Sequence, residues 1–216
     1  MNLRIGAGAI AFIAVAFLVR TARADIISYN FTNPAGPLGT SQSYTDNGVT
    51  ITAYGFTSAG VPYNLYGKTN TSEGLDELGL GLNDGVHFEV EAQHFIELDL
   101  ANIMALDPTA LTIGLGSVQE GEGGNVYGSN TYDTLGTFLF TIGDENLHSL
   151  PTSGYEYFNI KASGGNVYTN DVLITSLGAS YTPTPAVPEP VEYPMLVIAG
   201  SLMAISAKFR KLKRQK

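Results

Sequence analysis

A short stretch near the middle of the chain has the residue types and spacing to hold a metal ion. His87, Glu89 and Glu91 alternate along residues 86–91, and His94 follows closely. In an extended chain alternate side chains leave the same face. Imidazole nitrogen and carboxylate oxygen would then gather as ligands for zinc or another divalent ion. The same i, i+2, i+4 spacing also describes any solvent-facing stripe of a sheet. Hard oxygen donors recur in two acidic stretches. Glu120 and Glu122 alternate with glycine, and Glu73, Asp76, Glu77 and Asp84 crowd another segment. Carboxylates on loops suit calcium, although neither stretch matches an EF-hand or a calcium-binding repeat, and solvated acidic loops have the same composition. The metal candidates are therefore His87, Glu89, Glu120 and Glu122. No resident cofactor is expected, with calcium on the acidic loops the exception that the composition allows.

Catalysis finds less support. Glycoside hydrolysis needs two carboxyl groups flanking the scissile bond, and the sequence offers many carboxylates with no reason to choose two. There is no Gly-x-Ser-x-Gly elbow, His-Glu-x-x-His zinc motif or Walker-type loop. Ser129, in Tyr127-Gly128-Ser129-Asn130, lacks the flanking elbow pattern and reads as a turn residue. No catalytic residue is assigned. The chain has 12 tyrosines and no tryptophan. Tyr63, Tyr66, Tyr127, Tyr132, Tyr155 and Tyr157 fall in or near expected loops, where rings can stack on sugars. Tyrosines also fill sandwich cores with their hydroxyls at the rim.

The elements that would position these residues read as strands throughout. Segments rich in β-branched and aromatic residues occur at 25–32, 49–54, 63–66, 95–100, 111–118, 125–127, 136–142, 155–162 and 172–177, with a shorter one at 79–82. Residues 86–91 show the cleanest alternation, with Val86, Phe88 and Val90 inward and His87, Glu89 and Glu91 outward. In 95–100 the same pattern places Glu97 and Asp99 outward. Asp46-Asn47-Gly48 is a hairpin turn, residues 34–39 are turn chemistry, and 102–106 could form one helical turn. No long amphipathic helix interrupts the series. The expected fold is all-β: an antiparallel two-sheet β-sandwich, jelly-roll-like, flanked by an N-terminal signal helix and a C-terminal hydrophobic helix.

Charge is distributed unevenly. Of 11 Lys and Arg residues only Lys68 and Lys161 fall within residues 25–181, whereas nearly all of the 20 Asp and Glu do. So acidic a surface disfavours nucleic acid, whose phosphates need basic partners. The chain contains no cysteine, so an exported domain of this sequence must hold together by packing and hydrogen bonds, or by bound metal.

Both ends read as addresses. Arg4, an apolar run over residues 5–19 and Ala22-Arg23-Ala24 before Asp25 form a secretory signal peptide with an Ala-x-Ala cleavage site; Ala22, Ala24 and Asp25 mark the cut. At the other end Val187-Pro188-Glu189-Pro190 is held extended by its prolines. Residues 194–207 are apolar all round and would make a helix about 21 Å long at 1.5 Å per residue, shorter than the roughly 30 Å hydrocarbon core. Lys208, Arg210, Lys211, Lys213, Arg214 and Lys216 follow as a basic stop that keeps this end cytoplasmic. An ordinary single-pass tail anchor is the plainer reading of the last 29 residues.

In their order and position, that motif, short apolar helix and basic tail resemble the PEP-CTERM sorting signal of exported bacterial proteins. The resemblance implies a membrane-embedded exosortase as partner, processing near the motif, and transient insertion in the inner membrane. The middle of the chain also resembles uncharacterised ectodomains of that family. There the likeness is carried by Gly36-Pro37-Leu38-Gly39, Val49-Thr50-Ile51-Thr52-Ala53-Tyr54-Gly55, Gly79-Leu80-Gly81-Leu82, Phe95-Ile96-Glu97-Leu98-Asp99-Leu100 and Val126-Tyr127-Gly128-Ser129-Asn130. It implies a sandwich at the cell surface and supplies no activity. The organisation expected is a signal peptide at 1–24, an ectodomain at 25–181, a Pro/Thr linker at 182–187 and a sorting signal at 188–216.

Three functions follow from these readings. The first is a non-catalytic protein exported across the inner membrane, anchored as a precursor, then displayed at the surface or in the matrix with extracellular polysaccharide. The second is a carbohydrate-binding module using exposed tyrosines, and the third a carboxylate-dependent glycoside hydrolase.

Overall fold

The computed structural model describes residues 24–69, 77–119, 121–164 and 171–183. The segment before Ala24, the Val187 to Pro190 motif, the apolar run and the basic tail lie outside the described residues, as do Glu73, Asp76 and Glu120. Among the described residues no helix is long and apolar enough to cross a membrane.

The described chain is almost entirely strand. In order, the strands are β1 (Asp25–Asn30), β2 (Gly36–Gly39), β3 (Ser41–Asp46), β4 (Val49–Thr57), β5 (Leu65–Lys68), β6 (Gly79–Leu82) and β7 (His94–Asp99). A four-residue helical turn, α1 (Ala101–Met104), precedes β8 (Ala110–Gly116), β9 (Gly124–Ser129), β10 (Thr137–Ile142), β11 (Leu147–Ser149), β12 (Tyr157–Ala162) and β13 (Leu173–Tyr181). They form two antiparallel sheets that do not close into a barrel. One runs β11-β8-β13-β6-β5-β2, with β1 also on β13; the other runs β10-β9-β12-β7-β4-β3. Both contribute side chains to one core, in which Ile51, Leu98 and Phe158 from the second sheet meet Leu80, Ile113 and Ile174 from the first. This is the β-sandwich that the spacing of strands and turns leads one to expect.

The β3–β4 hairpin shows how local chemistry sets register. Asp46 pairs with Val49, leaving Asn47 and Gly48 as a two-residue loop with φ of 49° and 78°. Positive φ at both central positions is the type I′ turn that Asn-Gly favours. β13 is tied at both ends. At its start, Val172 bridges Val90 through reciprocal backbone hydrogen bonds of 2.8 and 3.2 Å. At its end, Tyr181 pairs with Asp25.

Residues 86–91 differ from their expected alternation. They form no strand: Val86 is 68% exposed, Glu89 is buried and Phe88 adopts φ of 60°. The reason is upstream. Asp84 accepts the backbone N–H groups of Val86, His87 and Phe88 on Oδ1 at 2.9, 3.0 and 2.8 Å. That side-chain cap turns the chain before a ladder can form. β6 then receives the turn against Gly81, where any Cβ would come within 2.9 Å of Glu89 Cα. Glu97 does point outward from β7 as expected, yet it is fully buried. Residues 130–136 lie as a strap across that outer face. Asp133 donates its N–H to Glu97 Oε1 at 3.3 Å, and Asn159 Nδ2 donates to the carbonyls of Thr134 and Leu135 at 3.1 and 3.2 Å.

Candidate metal centre

The turn that Asp84 builds brings three ligand types together. Asp84, His87 and Glu91 each offer one ligand atom, and these atoms lie within 4.8 Å of one another. They are the one such group of three or more His, Asp or Glu side chains among the described residues. His87 Nδ1 stands 3.7 Å from Asp84 Oδ2, is sealed from solvent and has no hydrogen-bond partner. The three side chains line a cleft of about 350 Å³ together with Tyr63, Val86, Gln93 and His94.

Each wall of the cleft is fixed by backbone bonds. Asn83 N–H donates to Asn64 O at 2.8 Å, which holds the turn beside the segment carrying Tyr63. Glu91 follows Val90, which is clamped to Val172, and its carbonyl accepts His94 N–H at 3.2 Å. His94 Nδ1 sits 3.7 Å from Glu91 Oε2, and its ring stacks on Tyr63 with centroids 4.2 Å apart. Phe88, left-handed and therefore strained, is braced by stacking on Tyr66 at 4.1 Å.

Electrostatics couple the two acids. Burial alone would raise Asp84, but the three backbone N–H groups outweigh it and hold that carboxyl below its ordinary value. Burial pushes Glu91 up to about 7, and the hydrogen bond and charge of Asp84 push the same way. Two carboxyls this close share a proton because both cannot ionise cheaply. Burial lowers His94, which keeps its imidazole neutral.

The other candidate ligands are placed elsewhere. Glu89 turns away from His87 to meet Lys68, which also bridges Glu77 at 2.6 Å. Burial pushes Glu89 up to about 7 against the pull of the Lys68 ammonium. Glu122 accepts the N–H of Gln119 at 2.8 Å, and its carboxyl is raised by burial and by the charges of Asp171 and Glu77. Ser129 is the last residue of β9 rather than a turn residue, and its Oγ donates to Thr131 O at 2.8 Å and accepts Thr131 N–H at 3.0 Å where the chain leaves the strand. A larger hollow of about 430 Å³, lined by Met104, Asp107, Asn130 and residues 152–156, gathers no such ligand set.

Of the six loop tyrosines only Tyr132 is exposed; Tyr63, Tyr66, Tyr127, Tyr155 and Tyr157 are half-buried. Several nevertheless share the outer face of the six-stranded sheet. Tyr132, on the strap, meets Tyr54 and Phe56 edge-on at 5.0 and 5.4 Å, Tyr157 lies 6.3 Å away, and Tyr127 meets Phe138 at 5.6 Å.

In the sequence Asp84 stands out only as one carboxylate of an acidic stretch suited to calcium; its place beside His87 and Glu91 comes from the turn it caps. Lys68 appears in the sequence only as one of two basic residues between 25 and 181, and nothing there foretells its pairing with Glu77 and Glu89. No family model matches the chain, and neither does any curated protein or solved structure.

Proposed function

We propose that this is an exported, exosortase-sorted protein whose ectodomain, a jelly-roll-like sandwich between a signal helix and a sorting helix, acts without catalysis at the cell surface or among extracellular polysaccharide. The observation that carries the reading is the order of its C-terminal parts: Val187-Pro188-Glu189-Pro190, then an apolar stretch, then six basic residues within the last nine. The fold is in keeping with it, because a chain of this length can bury a continuous core without disulfides. The test is fractionation of a host expressing the chain with and without its exosortase. A shortened species at the surface that requires both the enzyme and Glu189 is expected. Full-length protein in the membrane under both conditions would leave a plain tail anchor.

A glycan-binding reading draws on one further observation. Tyr132 and Phe138, 44% and 53% exposed, stand on the same outer face as Tyr54, Tyr127 and Tyr157. Aromatic faces of this kind stack on sugar rings. Titration of the protein with the host's own exopolysaccharide, read by quenching of tyrosine fluorescence, separates the two: saturable quenching lost in Tyr132→Ala supports a lectin-like face, and no quenching removes it.

A further inference from the structure

We propose that Asp84, His87 and Glu91 form a binding site for a single divalent transition-metal ion of the zinc class. The donor set selects the ion. One imidazole nitrogen with two carboxylate oxygens suits zinc and its neighbours, whereas calcium requires six to eight oxygens and takes none from imidazole. The spacing is close to what such an ion needs. Adjacent ligands of a tetrahedral ion with bonds of ~2.1 Å lie about 3.4 Å apart, and His87 Nδ1 is already 3.7 Å from Asp84 Oδ2. Glu91 closes the set by a side-chain movement on the order of an ångström, since all three ligand atoms fall within 4.8 Å.

Two observations beyond the clustering point to a ligand. His87 Nδ1 has neither solvent nor a hydrogen-bond partner, an unfavourable state for a buried polar atom and one that a bound cation would relieve. The same three side chains open on a cleft of about 350 Å³, room for an ion with its remaining water. Around them stands a ready supporting shell. Backbone N–H groups orient Asp84, and His94 stands behind Glu91, which is how metal sites position their ligands. Three protein ligands leave one position facing the cleft for water or an oxygen of an external molecule.

The experiment uses full-length protein purified in detergent, freed of any affinity tag and stripped of metal. Zinc chloride is titrated by calorimetry into wild type, His87→Ala, Glu91→Gln and, as a control outside the cleft, Glu122→Gln. The expected result is one saturable equivalent in wild type and in Glu122→Gln, weakened at least tenfold by each ligand change. Cobalt in place of zinc should give a visible absorption band that His87→Ala abolishes. His87 is partly exposed, so its truncation leaves no core cavity; circular dichroism checks each variant, with His87→Gln replacing any that unfolds. No saturable zinc binding, binding indifferent to His87, or binding of calcium alone would each overturn the proposal. It does not depend on the sorting reading, and neither result decides the other.

Discussion

Glu97 on β7 and Asn159 on β12 stand opposite each other, neither touched by solvent, and each leaves an acceptor oxygen unpaired. An ionised carboxylate cannot satisfy this arrangement because it adds acceptors and no donor. Burial raises Glu97 to about 7, even though the N–H groups of Asp133 and Thr134 pull it down; the charges of Asp133 and Asp99 add to the rise. Its proton is therefore retained where an unfolded glutamate has lost it. The folded state binds more protons than the unfolded one between about 4.5 and 7, so stability falls as pH rises through that window and levels off above it. With 1.36 kcal/mol per unit the ceiling is roughly 3 kcal/mol. Between pH 5 and 8 the Glu97 share of the wild-type loss in chemical denaturation should be about 1–3 kcal/mol. Glu97→Gln, which carries its own donor, should exceed wild type at pH 8 and remove the Glu97 share of this dependence, leaving the share of Glu89 and Glu91, which burial also raises to about 7. A profile of the variant parallel to wild type would show that another group is responsible.

Tyr132 fastens the strap that covers this pair. Its ring meets Tyr54 and Phe56 edge-on, contacts worth about 0.5–1.5 kcal/mol each beyond the area they bury. Tyr132→Ala should cost about 2 kcal/mol in urea unfolding and make residues 130–136 the first site of limited proteolysis. Cleavage elsewhere first, with stability unchanged, would mean that the strap is held by its backbone bonds to Glu97 and Asn159 alone.

Lys68 is the counter-ion of two carboxylates, Glu77 and the nearly inaccessible Glu89. Removing one partner of a buried pair strands the other, at about 3–5 kcal/mol, whereas replacing the whole set by apolar groups is often neutral. Lys68→Met should therefore be severely destabilising, and Lys68→Met with Glu89→Leu should recover at least half of the loss. A double-mutant cycle on urea midpoints measures it. Additive losses would show that the two groups act independently.

The sandwich was legible because its signals are local. Asn47-Gly48 dictates a type I′ turn wherever two strands flank it, and the alternation of Phe95, Ile96, Glu97 and Leu98 belongs to any strand covered on one face. Ser41–Asp46 was not read as a strand, since its polar residues carry little β propensity. It is a strand because β4 pairs with it along its whole length. Residues 86–91 misled for the opposite reason. Their alternation is real, but a carboxylate two residues earlier takes the backbone donors that a ladder would need. The same capture separates His87 from Glu89 and delivers it to Asp84 and Glu91. Periodicity reports which faces side chains prefer; it is blind to a side chain that competes for the backbone. Glu97 belongs with these cases, because its direction follows from the strand while its burial comes from a segment more than 30 residues later.

The pairing of Asp25 with Tyr181 brings the start of β1 beside the end of β13. β1 lies on β13 with Asp25 against its last residue, whereas Val172 and Val90 bind the opposite end of β13, beside Glu91. Nine strand residues span roughly 30 Å. Along β13 the Val90–Val172 bridge, next to Glu91, therefore lies roughly 30 Å from the Asp25–Tyr181 pair. Pulling the two ends apart would load the β1–β13 ladder one rung at a time, so it would unzip under tension rather than shear.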